Sequence, residues 1–529
     1  MGDTEVKIAT GGDHRGLMPG RKTCLLPTII VLALAGLIGV PAVASAAKSV
    51  TVLAGPVVAH TSPRYISFAV DLDQVTGGMF WSQTPNARGS APVTRYDFRR
   101  RRLRLLAQAL APAYLRISGT AANETYYDMS TKPLTSPPAA YKRILTKSER
   151  DGVNDFAEVL GLKVVLGINA GTGPRTAAGK WLPDNARQLL RYTARMRYPL
   201  AAVEFGNEPN LFSLVSGMPG SYTAADYVHD LKTFNALRKS IVPHAWLIGP
   251  GSFYNNAGSE TPYANHAFGP LARQVLPAAG GIYDVLTFHE YPATSARCSG
   301  AASGVPPDPL APAYLDGVLR ADQSLQTLGR TYDPKAPSWD TEGASASCGG
   351  QQGYSNRFEA TFWYLNALGL LAQHGLAVFI RQTLSGSDYG LIDDATLQPN
   401  PDYWAALLWH RLMGTSILRP QLWHAPARLR VYAACRRDGS GTTLLALNLD
   451  RSHPATLTLA HSQAPAQLYL VTAPALLGRR VLLNGRPLQT ASNGAVPALA
   501  AKSARSTVKL PPISYAFVVE PGVEPAACH

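Results

Sequence analysis

The chain of 529 residues predicts an α/β protein: a (β/α)8 barrel carrying a C-terminal β-sandwich that also recruits the N-terminal strand. Three observations lead there. Eight short segments, apolar on both faces, alternate with amphipathic helix-like stretches, the pattern of a parallel sheet covered by helices. One of them, in Ala201–Asn210 (AAVEFGNEPN), delivers an Asn and a Glu to its own C-terminal end, the face where such barrels keep their chemistry. From about Ile417 the helical pattern gives way to alternating β segments.

Taken from the start, Leu25–Val40 is an apolar run behind Arg21 and Lys22 that ends in Ala44-Ser45-Ala46, a small-x-small cleavage pattern. Residues 1–46 therefore read as a secretory signal, with an uncleaved N-terminal anchor as the alternative. Cys24 precedes the apolar run and is not placed for lipid attachment. Residues 47–62 follow, where SVTVLA (Ser49–Ala54) has no helix after it and is expected to join the C-terminal sheet. Residues 63–415 make the barrel and 416–529 the sandwich.

The eight barrel strands are Tyr65–Asp71, Tyr114–Ser118, Lys163–Ile168, Leu200–Phe205, Ala245–Gly249, Asp284–His289, Pro337–Asp340 and Ala377–Arg381. Arg99–Leu110, Asn154–Leu160, Ala186–Met196 and Ala224–Lys239 carry helical spacing between them. Gly/Pro/Ser-rich insertions at Ser252–Pro270 and Ala293–Pro312 follow the fifth and sixth strands, where active-site loops belong. In the last part Arg428–Ala433, Thr442–Asn448, Thr456–Leu459, Gln467–Val471, Val481–Leu483 and Ile513–Glu520 read as strands, with Asn484-Gly485 as a hairpin turn.

Lys and Arg number 49 against 35 Asp and Glu, a net charge of +14. Losing residues 1–46 removes four cations (Lys7, Arg15, Arg21, Lys22) and three anions (Asp3, Glu5, Asp13), so the mature charge is +13. In an exported protein that favours a polyanionic glycan or membrane surface as partner, or serves solubility alone. No nucleic-acid reader motif is present. Cys298, Cys348, Cys435 and Cys528 remain after cleavage, an even number consistent with two disulfides, and no C-x-x-C spacing argues for a metal.

Hydrolysis of a glycosidic bond needs two carboxylates, one protonated and one ionised. Glu208 is the first: Gly206 breaks its strand, Asn207 and Glu208 project from the turn, and Pro209 stops the ladder. The partner candidates are Glu290 and Glu342. If His289 and Tyr291 face the barrel mouth, the two-residue period turns Glu290 away, which favours Glu342.

Several stretches together resemble the heparanase-like glycoside hydrolases of family 79 over nearly the whole mature chain: Ala113–Thr120 (AYLRISGT), Val203–Asn210 (VEFGNEPN), Ile380–Gln382 (IRQ) and Pro399–Leu418, which contains NPDYWAALLWHRLMGTSIL. The resemblance implies Glu208 as acid/base, Glu342 as nucleophile, retention of anomeric configuration, and neither metal nor other cofactor. It further implies Asp71, Thr120 and His289 as sugar-binding groups, Asn207 on the 2-hydroxyl, and Tyr291 hydrogen-bonded to Glu342. Gly349, Gly350, Gln382 and Tyr389 are similar to the family's uronate pocket, although the glycine pair is offset by one residue and the Gln382–Tyr389 interval is one shorter. A Cys435–Cys528 bridge is implied in the same way. Cys298 and Cys348 lie in loops after adjacent strands, where a second bridge at the cleft rim is one expectation and two free thiols the other.

No long segment of the kind excised from the animal proenzyme follows Thr120, so activity is expected from a single, monomeric polypeptide. Lys142, Arg143, Lys147 and Arg150 fall where the animal protein has its first basic stretch and are expected to grip substrate. The Arg99–Arg102 run with Arg104 reads as a solvated helix face. The expected function is a secreted or periplasmic retaining endo-β-glucuronidase on heparan sulfate or a related glucuronic-acid-containing chain, without stable membrane insertion. The alternatives are an exo-β-glucuronidase on small glucuronides and a non-catalytic polyanion-binding protein.

Overall fold

Eight parallel strands close into a barrel in the computed structural model, which describes residues 49–82, 89–261, 266–299, 303–460, 464–523 and 528. The strands are Ile66–Asp71, Tyr114–Ser118, Lys163–Ile168, Leu200–Phe205, Trp246–Asn255, Val285–Tyr291, Ser338–Gly343 and Val378–Arg381. Each is followed by a helix: Arg101–Gln108, Lys147–Val159, Asp184–Arg195, Ala224–Ile241, Ala272–Ala279, Val318–Tyr332, Phe358–Gln373 and Pro401–Leu412. The proposed signal, residues 1–46, lies outside the described residues.

All eight predicted strands are present, and three run further than expected. The fifth continues past Gly249 to Asn255 because the Gly-Pro-Gly break is absorbed as a register irregularity between Pro250 and Ser252, with Gly251 at φ +67°. Ser252–Asn255, expected to open a loop, is therefore strand. The sixth and seventh extend to Tyr291 and Gly343 and pair there, His289 beside Glu342. Helix starts follow local chemistry too. Thr146-Lys147-Ser148-Glu149 forms a capping box at the head of the second helix, the Thr146 side chain accepting from Glu149 N–H while Glu149 reaches back.

The C-terminal strands hydrogen-bond in one continuous eleven-stranded sheet that includes Ser49–His60. That N-terminal strand pairs antiparallel with Met413–Trp423 and parallel with Ala455–Leu459. Alternation sorts the side chains to two cores. Val431, Ala433 and Cys435 join a core internal to the sheet that also holds Val50, Leu457 and Val518. Tyr432 and Ala434, with Leu445, Tyr515 and Phe517, belong to the core shared with the barrel helices. The sheet thus closes on itself on one side and packs on the barrel on the other. Gly369 permits the close approach, since a Cβ there would fall within the Tyr432 ring, and Tyr432 OH donates to Asn366 Oδ1 at 2.6 Å. Cys435 is disulfide-bonded to Cys528 and Cys298 to Cys348, each with Cα atoms 5.7 Å apart.

Candidate active site

The C-terminal ends of the strands surround a cavity of about 430 Å³. Asp71 comes from the first strand end, Thr120 from just beyond the second, and Glu208 from the turn after the fourth. Tyr291, Glu342 and Gln382 come from the sixth, seventh and eighth. Glu208 has φ 51° and ψ 63°, a left-handed conformation that costs a non-glycine residue about 1–3 kcal/mol and is kept where surrounding structure fixes it. Here the fixing is local: Gly206 bonds back to Ile168 O at 2.9 Å and Pro209 starts a 3-10 turn.

Beneath the cavity lies a buried guanidinium. Arg116, in the middle of the second strand, sends Nε to Glu204 Oε1 at 3.0 Å and Oε2 at 3.1 Å, and Nη1 to Glu342 Oε2 at 2.7 Å. Its Nη2 donates to Asn207 Oδ1 at 2.9 Å and lies 3.2 Å from His289 Nε2. Because a guanidinium only donates, Nε2 of His289 is the acceptor. Burial, then the charge of Arg116, pushes the His289 pKa down, so the imidazole is neutral and its proton sits on Nδ1. Nδ1 lies 3.0 Å from Glu208 Oε1 and donates to it. One Glu208 oxygen is thereby occupied, leaving Oε2 to carry a proton.

Burial holds the Glu208 carboxyl above the usual carboxylate range; the His289 hydrogen bond opposes this and the charge of Glu342 reinforces it. Glu342 has both oxygens fixed, Oε1 by Tyr291 OH at 2.6 Å and Oε2 by Arg116. Burial and the neighbouring Glu342 charge raise the Tyr291 phenol well above its ordinary value and keep it a donor. One ligand atom from each of Glu208, His289 and Glu342 lies within 4.8 Å of the others, a spacing that would admit a metal ion. The donor chemistry does not suit one: Arg116 already supplies the positive charge, and both Glu342 oxygens are engaged.

Other expected site residues divide. Asp71 lines the cavity while its Oδ1 caps the Leu72–Thr76 helix, accepting from Asp73 N–H at 3.0 Å. Thr120, Gln382 and Tyr389 line it as well. Asn207 is buried under it, its main chain clamped by Asn123 (3.0 and 3.1 Å) and its Nδ2 without a partner. Gly349 and Gly350 are not brought to the cavity wall. Gly350 N–H donates to Ser347 O at 3.2 Å, and a Cβ on Gly349 would strike Trp81 and Ser387, so the pair packs behind the wall. Glu290 is fully buried, and burial with the Asp340 charge pushes it well up.

The expected basic grip is corrected. Lys142 pairs with Glu124, Arg143 with Asp73 at 3.0 Å and Glu124 at 3.4 Å, and Lys147 with Asp151 at 2.7 Å. Arg150 has no exposed surface and sits over the Tyr198 ring, 5.4 Å from its centroid. Arg143 and Arg150 are thus committed to the fold, while Lys142 and Lys147 are engaged in surface ion pairs. Of the run read as a solvated helix face, Arg99, Arg100 and Arg101 are exposed, whereas Arg102 and Arg104 are half-buried, donating to Leu397 O at 2.8 Å and Phe98 O at 2.7 Å.

Sequence reasoning missed Arg116, Glu204 and Asn123. The signal for Arg116 was available: a charge centred in a strand apolar on both faces must find a buried partner. It also missed the apolar lining, Trp81, Leu211, Leu214, Val215 and Phe253, which comes from loops and a strand extension.

Comparison with known proteins agrees with this geometry. Residues 85–369 match the profile "Glycosyl hydrolase family 79, N-terminal domain". The chain is 32% identical over 406 residues to the heparanase of Gallus gallus, covering 73% of this chain and 72% of that one. It is 28% identical over 513 residues to the baicalin-β-D-glucuronidase of Scutellaria baicalensis, covering 88% and 90%. The solved structure of a 4-O-α-L-rhamnosyl-β-D-glucuronidase from Fusarium oxysporum superposes with TM-score 0.62 at 16% identity over 89% of this chain and all of that one, a likeness of fold. The chain belongs to glycosyl hydrolase family 79.

Proposed function

We propose that this protein is a retaining β-glucuronidase in which Glu342 is the nucleophile and Glu208 the acid/base. The observation that carries the reading is the approach of a Glu208 oxygen to within 4.8 Å of a Glu342 oxygen. Retaining enzymes hold their carboxyl groups about 5–5.5 Å apart, whereas inverting ones leave about 6.5–9.5 Å for a water. Glu342 attacks C1 while Glu208 Oε2 gives its proton to the glycosidic oxygen, and the aglycone departs. Glu208, now ionised, takes a proton from water, whose oxygen attacks C1 and releases Glu342.

The unpartnered Asn207 Nδ2 is placed to donate to the 2-hydroxyl, with Arg116 holding its carbonyl oxygen away. Gln382 and the protonated Tyr389 phenol are the neutral donors for a uronate carboxylate. Two disulfides suit an exported protein, and among the described residues no helix is long and apolar enough to cross a membrane.

Proton NMR of an aryl β-glucuronide digest tests this: β-glucuronic acid should appear first and mutarotate later. First-formed α-product would overturn retention. The kcat/KM profile should fall on its alkaline side at a pH above the ordinary carboxylate range, because activity needs Glu208 protonated and its pKa is raised. An alkaline limb at pH 4–5, where free Glu titrates, would remove Glu208 from that role.

Internal cleavage of a heparan-sulfate-like chain is the second reading, and the strongly basic balance, 49 Lys and Arg against 35 Asp and Glu, favours it. It requires mid-sized early fragments and a KM that rises with salt as screening sets in over a Debye length of about 8–10 Å. Folded protein that turns over no glucuronide at all would leave the non-catalytic glycan-binding role.

A further inference from the structure

The cavity has two chemically distinct sides. Asp71, Glu342, Gln382 and Tyr389 offer hydrogen bonds from the ends of the first, seventh and eighth strands and the loop beyond. Leu211, Leu214 and Val215 follow Glu208 directly in the chain, on the turn Pro209–Leu211 and the short helix Phe212–Val215. With Phe253, from the neighbouring fifth strand, they make an apolar wall. Leu211 and Phe253 are buried in a cluster that runs through Tyr291 to Phe80 and Tyr389; the Phe253 ring stacks on Tyr291 at 5.6 Å. Leu214 is 48% exposed yet lines the cavity, so its apolar surface faces the opening instead of a core.

An acid that protonates the glycosidic oxygen must stand beside the departing group. The residues that follow Glu208 are therefore that group's neighbours. Among the described residues no Lys or Arg lines this cavity, while three carboxyls, those of Asp71, Glu208 and Glu342, do. A sulfate seated here would lose its hydration with no cation in compensation. A flat apolar ring would instead exchange water for side-chain contact.

We infer that the wall of Leu211, Leu214, Val215 and Phe253 is the leaving-group subsite, and that it takes an uncharged aryl aglycone in preference to a sulfated sugar. The inference deepens the β-glucuronidase reading and rests on it.

The test compares 2-naphthyl β-glucuronide with 6-sulfo-2-naphthyl β-glucuronide, whose naphthols have similar acidity and the same ring system, so that the chemical step is matched and the anion is the difference. Wild-type kcat/KM should favour the unsulfonated substrate by about tenfold or more. Leu214→Arg, at an exposed position, should shrink that ratio by about tenfold, acting through KM with kcat held within about twofold. Equal kcat/KM for the two substrates in wild type, or heparan sulfate depolymerised faster than the unsulfonated glucuronide is cleaved, overturns the inference while leaving a glucuronidase. If folded wild-type protein cleaves neither aryl substrate nor heparan sulfate, the β-glucuronidase reading itself falls and takes the subsite with it.

Discussion

Glu342→Ala should lower kcat on any glucuronide by about 10⁴-fold or more, whereas the loss in Glu208→Ala should depend on the leaving group. The asymmetry follows from the proposed roles. Every substrate needs attack on C1, so no substrate spares a missing Glu342. A 4-nitrophenolate departs without a proton, so Glu208→Ala should still form the glycosyl-enzyme and then stall for want of a base to activate water. Azide needs no base, and adding it should restore turnover in Glu208→Ala and yield the β-glucuronosyl azide. In Glu342→Ala, azide can attack only from the side vacated by the carboxylate and should give the α-azide. Activity of Glu342→Gln near wild type would dismiss Glu342 as nucleophile, and an α-azide from Glu208→Ala would exchange the two assignments.

These two candidates could be named from the sequence because barrel chemistry sits at strand ends: Glu208 follows an apolar run broken by Gly206, and Glu342 lies one residue before Gly343, where its strand ends. Most of the eight strands were legible for a similar reason, being buried on both faces and so reading as apolar segments; Ser338–Gly343 (SWDTEG) is the exception, buried but polar, and was marked mainly by its place in the alternation. Met413–Trp423 was not legible. Most of its pairing is with Ser49–His60, more than 350 residues away, its ladder to the next strand Leu429–Arg436 is interrupted, and Pro420 with its exposed neighbours resembles a loop. Lys502–Ala504 and Thr507–Leu510 are too short and polar to stand out. The basic residues of 142–150 misled because composition counts charges and not partners. Glu124, Asp73 and Asp151, which neutralise three of them, are specified by folding, and Arg150 is the clearest case, a cation in a helix whose face turns inward. The site is therefore built on more electrostatics than its two catalytic candidates suggest.

Arg116 is where that electrostatics is concentrated, and Arg116→Leu should lose about 10³-fold or more in kcat together with about 3–5 kcal/mol of stability. The stability loss has a definite source. Glu204 and Glu342 are both buried against the guanidinium, at 3.0 and 2.7 Å, and removing it strands two carboxylates in a low-dielectric interior. The catalytic loss has another. Arg116 fixes one oxygen of Glu342, the Asn207 carbonyl and, through Nε2, the His289 tautomer that donates to Glu208. A double substitution separates the two: Arg116→Leu with Glu204→Gln removes one stranded charge, so denaturant unfolding should show the pair costing clearly less than the sum of the singles. Activity should not recover, because Asn207, His289 and Glu342 still lack their shared donor. Arg116→Lys should fall between, keeping the charge but lacking the planar fork that reaches four side chains at once. If Arg116→Lys is fully active, or if stability losses in the double variant simply add, the guanidinium does not organise the site in this way.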